Sequence, residues 1–375
     1  MAISQFIQFD YRNYNFFTKY QNYSIYFFEY TEGLRETFPN SVDVITDCEE
    51  DVRKKLSIFS EINYSWFVKM IDSYLKAGKI LSQIRKEASK MIKEGTLVLD
   101  LVEFVENETI KQGAGISFPC NVSINEVAAH YTSPLNDETM IYAGDLVKLD
   151  LGTEIDGYIA DSAITVMAPG KNLDERFTQD EINLRQDIIE ASAAGLDAAI
   201  STVRAGVTVG EIGAAVEEAI NEYKLNPIAN LTGHSLEQYN LHAGISVPNI
   251  DNHDETVLEE GQAVAIEPFA TDGLGFVNDA PGTYIYSFLA NKPFRLKHTK
   301  NVLTNIKHNY PHLPFSGRWL TKEFKENRLN VSLKQLSEAM AIYPYHPLKE
   351  KTGCLVSQKE HTVIVEKEGC TVTTL

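Results

Sequence analysis

A chain of 375 residues with 43% hydrophobic composition can bury a sizeable core, and 23% charged residues is an ordinary share for a globular protein. A net charge of −18 disfavours a nucleic-acid partner, whose phosphates would be repelled over most of the surface; bound cations on clustered carboxylates would offset part of that charge. No run of about 18 apolar residues and no basic-then-apolar leader occurs, so neither a membrane span nor a secretory signal is expected.

Residues 1–69 differ from the rest. Their first 30 residues hold twelve Phe or Tyr interleaved with Asn and Gln, without the period of a helix or a strand. They read as an atypical extension, disordered or arising from a start placed upstream of Met70; a genuine appendage that docks on a ribosome or folds over the main domain is the competing reading. The main domain is expected over 70–375. An amphipathic helix is predicted over 71–93, with Ile80, Leu81 and Ile84 on one face, ended by Gly95, and a second over 98–111. Four cysteines (Cys48, Cys120, Cys354, Cys370) form no CxxC pair, which points to reduced thiols and a cytoplasmic location.

The helix pair recurs. EGTLVLDLVEFVE at 94–106 aligns with AGVTVGEIGAAVE at 205–217, an offset of 111 residues that matches Gly95 with Gly206 and Val98 with Val209. A long helical stretch over about 180–203 precedes the second copy. Two related α/β halves facing each other are expected, with a site in the cleft between their sheets. Strand signals follow each pair: 146–167, split by Asp156-Gly157, then 263–271 and 361–367. Between the last two, about 290–345 reads as a largely helical insertion, including a helical segment over 332–342.

The hairpin over 146–167 carries the first chemical signal. With Asp156-Gly157 as a two-residue turn, Gly152 lies opposite Asp161, and Asp150 shares a face with both. Two carboxylates among apolar residues repel unless a proton or a cation lies between them. His234 in NLTGHSL, Glu267 in AVAIEPF and Glu360 before HTVIV are further candidates on apolar stretches. Each taken singly is an ordinary structural residue. Together with the aspartates they form an oxygen-rich set with one imidazole, suited to Mn, Fe, Co or Zn, and sufficient for two ions that share carboxylates.

The order Asp150, Asp161, His234, Glu267, Glu360 resembles the ligand series of the pita-bread metallopeptidases. The segments SFPCNVSINEVAAHYTSP (117–134), KLDLGTEIDGYIADSAITV (148–166), GHSLEQYNLHAG (233–244), AIEPFA (265–270) and SQKEHTVIV (357–365) are similar to those of type 2 methionine aminopeptidases, particularly archaeal ones, over about 70–375. Those relatives typically begin near the position of Met70. The resemblance implies an α+β pita-bread fold, with pseudo-two-fold α/β halves around a curved antiparallel sheet, and a helical subdomain inserted before PYHPL (344–348).

It also implies roles. Asp161 and Glu360 would bridge two divalent ions (Co, Mn, Fe or Zn), Asp150 would bind one of them, and His234 and Glu267 the other. A metal-bridging hydroxide would attack the first peptide bond, with Glu267 moving the proton; His130 would contact the scissile peptide and His242 would help stabilise the transition state. Phe118, Leu241 and Tyr345 would line a pocket for methionine, and Asn278 stands where eukaryotic members carry a bordering histidine. The expected partner is a nascent polypeptide with N-terminal methionine and a small second residue, acted on by a monomer. A proline-specific aminopeptidase or prolidase of the same fold, or a non-catalytic binding relative, are the alternatives.

Overall fold

The computed structural model describes residues 67–375. Residues 1–66, and with them nearly all of the expected extension, lie outside the described residues. Met70–Leu375 form one compact unit. Its first element is helix α1 (67–89), which buries Ala77, Leu81, Ile84 and Ala88 along one stripe. Helix α2 (Val98–Lys111) buries Val98, Leu101, Val102 and Val105. Both stripes pack on strands β1 (Gly115–Ile124), β3 (Leu146–Ile155) and β4 (Tyr158–Met167), a three-stranded antiparallel sheet in the order β1-β3-β4. Strand β2 (Val127–Ala129) lies outside that sheet.

The second half repeats this plan. Helices α3 (Gln179–Thr202) and α4 (Val209–Asn221) each start at a capping box, Thr178 with Glu181 and Thr208 with Glu211. They cover strands β5 (Thr232–Leu236), β6 (Ser246–Pro248) and β7 (Ala263–Ile266), which continue as β8 (Phe269–Thr271). The internal repeat is visible atom by atom. Gly95 and Gly206 both enter the left-handed region, at φ 88° and 87°, which a side chain would strain. The Gly95 amide donates to the Ile141 carbonyl and the Gly206 amide to the Leu258 carbonyl, each at 2.9 Å. The copies differ at the helix start, where Thr208 caps α4 and the equivalent Leu97 gives α2 no side-chain cap.

An insertion with its own apolar core follows, built from strand β9 (Ile285–Phe288), helices α5 (Lys297–Asn309) and α6 (Glu326–Glu338), and strand β10 (Ile342–Tyr345). It is less helical than its sequence suggests: β9 pairs with β10 and with Phe315-Ser316. The helix expected over 332–342 stops at Glu338, because Met340 turns left-handed at φ 54° and Ile342 joins β10.

Strands β11 (Val356–Gln358), β12 (His361–Glu366) and β13 (Gly369–Val372) complete the fold, with a five-stranded sheet in the order β13-β12-β7-β5-β6. The pseudo-two-fold α+β pita-bread expectation is thus met. Two threonines sew the halves together. Thr362 Oγ1 accepts from the Asp161 amide at 2.8 Å and donates to the Asp161 carbonyl at 2.9 Å; Thr165 Oγ1 exchanges the same pair of bonds with the Gln358 backbone, each at 2.8 Å. Cys120, Cys354 and Cys370 are free thiols. Among the described residues, no helix is long and apolar enough to cross a membrane.

Candidate metal centre

The β3–β4 hairpin turns at Asp156 and Gly157, with φ 53° and 85°, as a type I′ turn requires. Its register sets Gly152 opposite Asp161 and Asp150 opposite Ala163, so both aspartates lie diagonally on one face. Across the cleft, β5 presents His234 beside Ala265 of β7. Glu267 follows β7 directly, and Pro268, which has no amide proton to donate, separates β7 from β8 there. Glu360 sits between β11 and β12, where its amide donates to the Ala163 carbonyl at 3.1 Å.

These segments converge. One donor atom each from Asp161, His234 and Glu360 lies within 4.8 Å of the others. His234 Nε2 is 3.7 Å from Asp161 Oδ2 and 3.9 Å from Glu267 Oε1. Burial first, and then the neighbouring carboxylates, raise Asp161, Glu267 and Glu360 well above the ordinary carboxylate range; burial raises Asp150 too. Burial also pushes His234 down to about 3, so its imidazole is neutral. Asp150 Oδ1, Asp161 Oδ1 and Glu360 Oε2 are buried with no hydrogen-bond partner among the described residues. Four crowded carboxylates with orphaned oxygens and one neutral imidazole fit divalent cations, and their mutual repulsion is what bound cations would relieve.

A cavity of about 400 Å³ opens over the centre. Asp150, Asp161, His234, Glu267 and Glu360 line it, together with Phe118, His130, Leu241, His242 and Tyr345. His130 is held at φ 64°, with Nδ1 3.2 Å from the His346 carbonyl oxygen, and burial lowers its pKa to about 4. His242 stacks edge-on to His234 at 4.5 Å between ring centroids. Asn278, by contrast, is exposed in a short strand paired with Lys349 and does not reach the cavity.

Sequence reasoning missed the supports. Gln358 Nε2 donates to Glu267 Oε2 at 3.2 Å and its side chain also hydrogen-bonds Asp150, so one amide orients two carboxylates. Gln358 precedes Glu360 by two, and that strand spacing was the available signal. Arg85 donates to the Ser162 hydroxyl, and Ser162 Oγ donates to the Glu360 carbonyl at 2.8 Å. Ile285 and Pro314, from the insertion, complete the apolar wall.

Paired α/β halves with a carboxylate-rich, imidazole-bearing centre in their cleft define a pita-bread metallohydrolase. Residues 72–303 match the model of metallopeptidase family M24. The methionine aminopeptidase of Methanothermobacter thermautotrophicus is 52% identical over 82% of this chain and 99% of its own length. That of Thermococcus onnurineus is 46% identical over 81% and 99%. A solved structure of a thermophilic Arx1 superposes with a TM-score of 0.70 at 18% identity, covering 82% of this chain and 90% of that one. The methionine aminopeptidase structure from Thermotoga maritima gives 0.58 at 19% identity, over 82% and 96%. The chain belongs to metallopeptidase family M24.

Proposed function

We propose that this enzyme removes the N-terminal methionine of polypeptides, with two divalent ions held by Asp150, Asp161, His234, Glu267 and Glu360. The observation that carries the reading is the convergence of these five residues on the floor of a cavity walled by Phe118, Leu241 and Tyr345. Bound ions would lower the pKa of a water and polarise the scissile carbonyl. Glu267, oriented by Gln358, is the group suited to take that water's proton and pass it to the leaving amine.

The two free histidines support distinct tasks. His130 faces the His346 carbonyl through Nδ1, which fixes the proton on that nitrogen and leaves Nε2 an acceptor for the scissile amide N–H. Its lowered pKa keeps it neutral at physiological pH, as an acceptor must be. His242, at the cavity wall beside His234, is suited to donate to oxygen as charge develops there. The apolar wall suits an unbranched thioether.

Release of methionine from the peptide Met-Ala-Ser tests the assignment. Chelation should stop it and added Mn, Co, Fe or Zn restore it. Metal-replete protein that splits Xaa-Pro dipeptides and leaves Met-Ala-Ser intact would be a prolidase instead.

A further inference from the structure

The net charge of −18 conceals a local reversal. Residues 290–345 carry ten Lys or Arg and three Asp or Glu, a net charge of +7 that leaves −25 on the rest of the chain. Those cations are not distributed as ordinary solvating charge. On α5, Lys297, Lys300 and Lys307 fall on one solvent-facing stripe, opposite the buried Thr299, Val302, Leu303 and Ile306. Asn301 and Thr304 fill the exposed positions between them. Arg295, Lys297, Lys300 and Lys307 make no ion pair among the described residues, whereas exposed lysines elsewhere do, Lys90 with Glu87 and Lys111 with Glu108.

The start of α5 breaks a local rule. Its first turn holds no acidic residue, its N-cap Leu296 offers no side-chain cap, and Arg295, Lys297 and Lys300 crowd the positive end of the helix dipole. Free backbone amides, the dipole and three cations all point to an anion there. A stripe from Lys297 to Lys307 is about 15 Å long at roughly 1.5 Å per residue, enough to follow several phosphates.

We infer that the outer face of α5 docks on the phosphate backbone of folded RNA. An anionic membrane would want apolar residues on this face, and a protein partner an apolar or aromatic centre; apart from Leu296 at its edge the stripe has neither. The uncharged donors at Asn301 and Thr304 match the 2′-hydroxyls that line the shallow groove of an RNA helix. The acidic remainder of the chain repels the same polyanion, so the insertion is the side that approaches. No residue of α5 lines the cavity over the metal centre, so docking leaves that cavity open.

The test uses the full chain and a fluorescein-labelled RNA hairpin, with binding followed by anisotropy across a salt series. The triple variant Lys297→Gln, Lys300→Gln, Lys307→Gln should weaken binding roughly tenfold or more and flatten the log–log salt slope by about 2. Its melting temperature and methionine release from Met-Ala-Ser should stay at the parent values. A control with the same charge change on exposed α1 lysines, Lys76→Gln, Lys79→Gln, Lys86→Gln, should bind RNA within about twofold of the parent. Absence of RNA binding by the parent, or equal loss in the two triple variants, overturns the proposal. Equal affinity for a DNA duplex of the same sequence, or loss confined to anionic phosphatidylserine vesicles, overturns the choice of RNA.

Discussion

At the scale of single residues, the centre divides into groups that would hold metal and groups that would handle substrate, and substitutions should separate them. Glu267→Ala should abolish turnover, since a general acid–base role alone is typically worth about 10²–10⁴-fold. His130→Ala should lower kcat severely while metal content, read by elemental analysis, stays unchanged; loss of both ions would make His130 a ligand. Gln358→Ala should weaken metal affinity about 10–100-fold, because Glu267 and Asp150 lose their shared donor. Unchanged affinity in a calorimetric titration would reduce Gln358 to packing. All five carboxylate and imidazole candidates were legible in the sequence, because a charge inside an apolar strand is conspicuous. Gln358 was not, since a neutral amide beside a strand end is unremarkable until its partners are known. The placement of Asn278 failed for a related reason. Its short strand pairs with residues 70 positions downstream, and nothing local in GLGFVNDAPG reveals which way that pairing turns it.

At the scale of elements, the hairpin was read correctly down to its register, since a two-residue turn of Asp-Gly fixes every opposite pair. The insertion was read less well. Its helices announce themselves through their period, but β9 finds its partners at Phe315-Ser316 and Ile342–Tyr345, far along the chain. One contact ties the insertion to the first half: Arg318 donates to both Glu106 oxygens at 2.8 and 2.7 Å, and Trp319 Nε1 to Oε2 at 2.9 Å. Both members of the pair are largely buried, so Arg318→Ala leaves Glu106 an uncompensated charge and should destabilise the fold by about 3–5 kcal/mol. Since Ile285, Pro314 and Tyr345 reach the cavity from the insertion, KM for Met-Ala-Ser should rise as well. Denaturant unfolding with an unchanged midpoint would show that the pair is dispensable.

At the scale of the whole molecule, the acidic centre links stability, protons and metal. Asp161, Glu267 and Glu360 hold their protons in the metal-free fold at pH values where the unfolded chain has released them. Folding therefore takes up protons, and metal-free stability falls as pH rises above the ordinary carboxylate range. Cations compete with those protons, so they bind more tightly as pH rises. The gap in Tm between metal-loaded and metal-free protein should widen from about pH 5 to about pH 8; a constant gap would mean that these carboxylates are not the ligands. The most direct test of the centre is a calorimetric titration of Mn into metal-stripped full-length protein. Two ions per chain are expected, falling to one in Asp150→Asn and to one in His234→Ala. A single ion in the parent, or two ions retained in both variants, would contradict the five-residue centre.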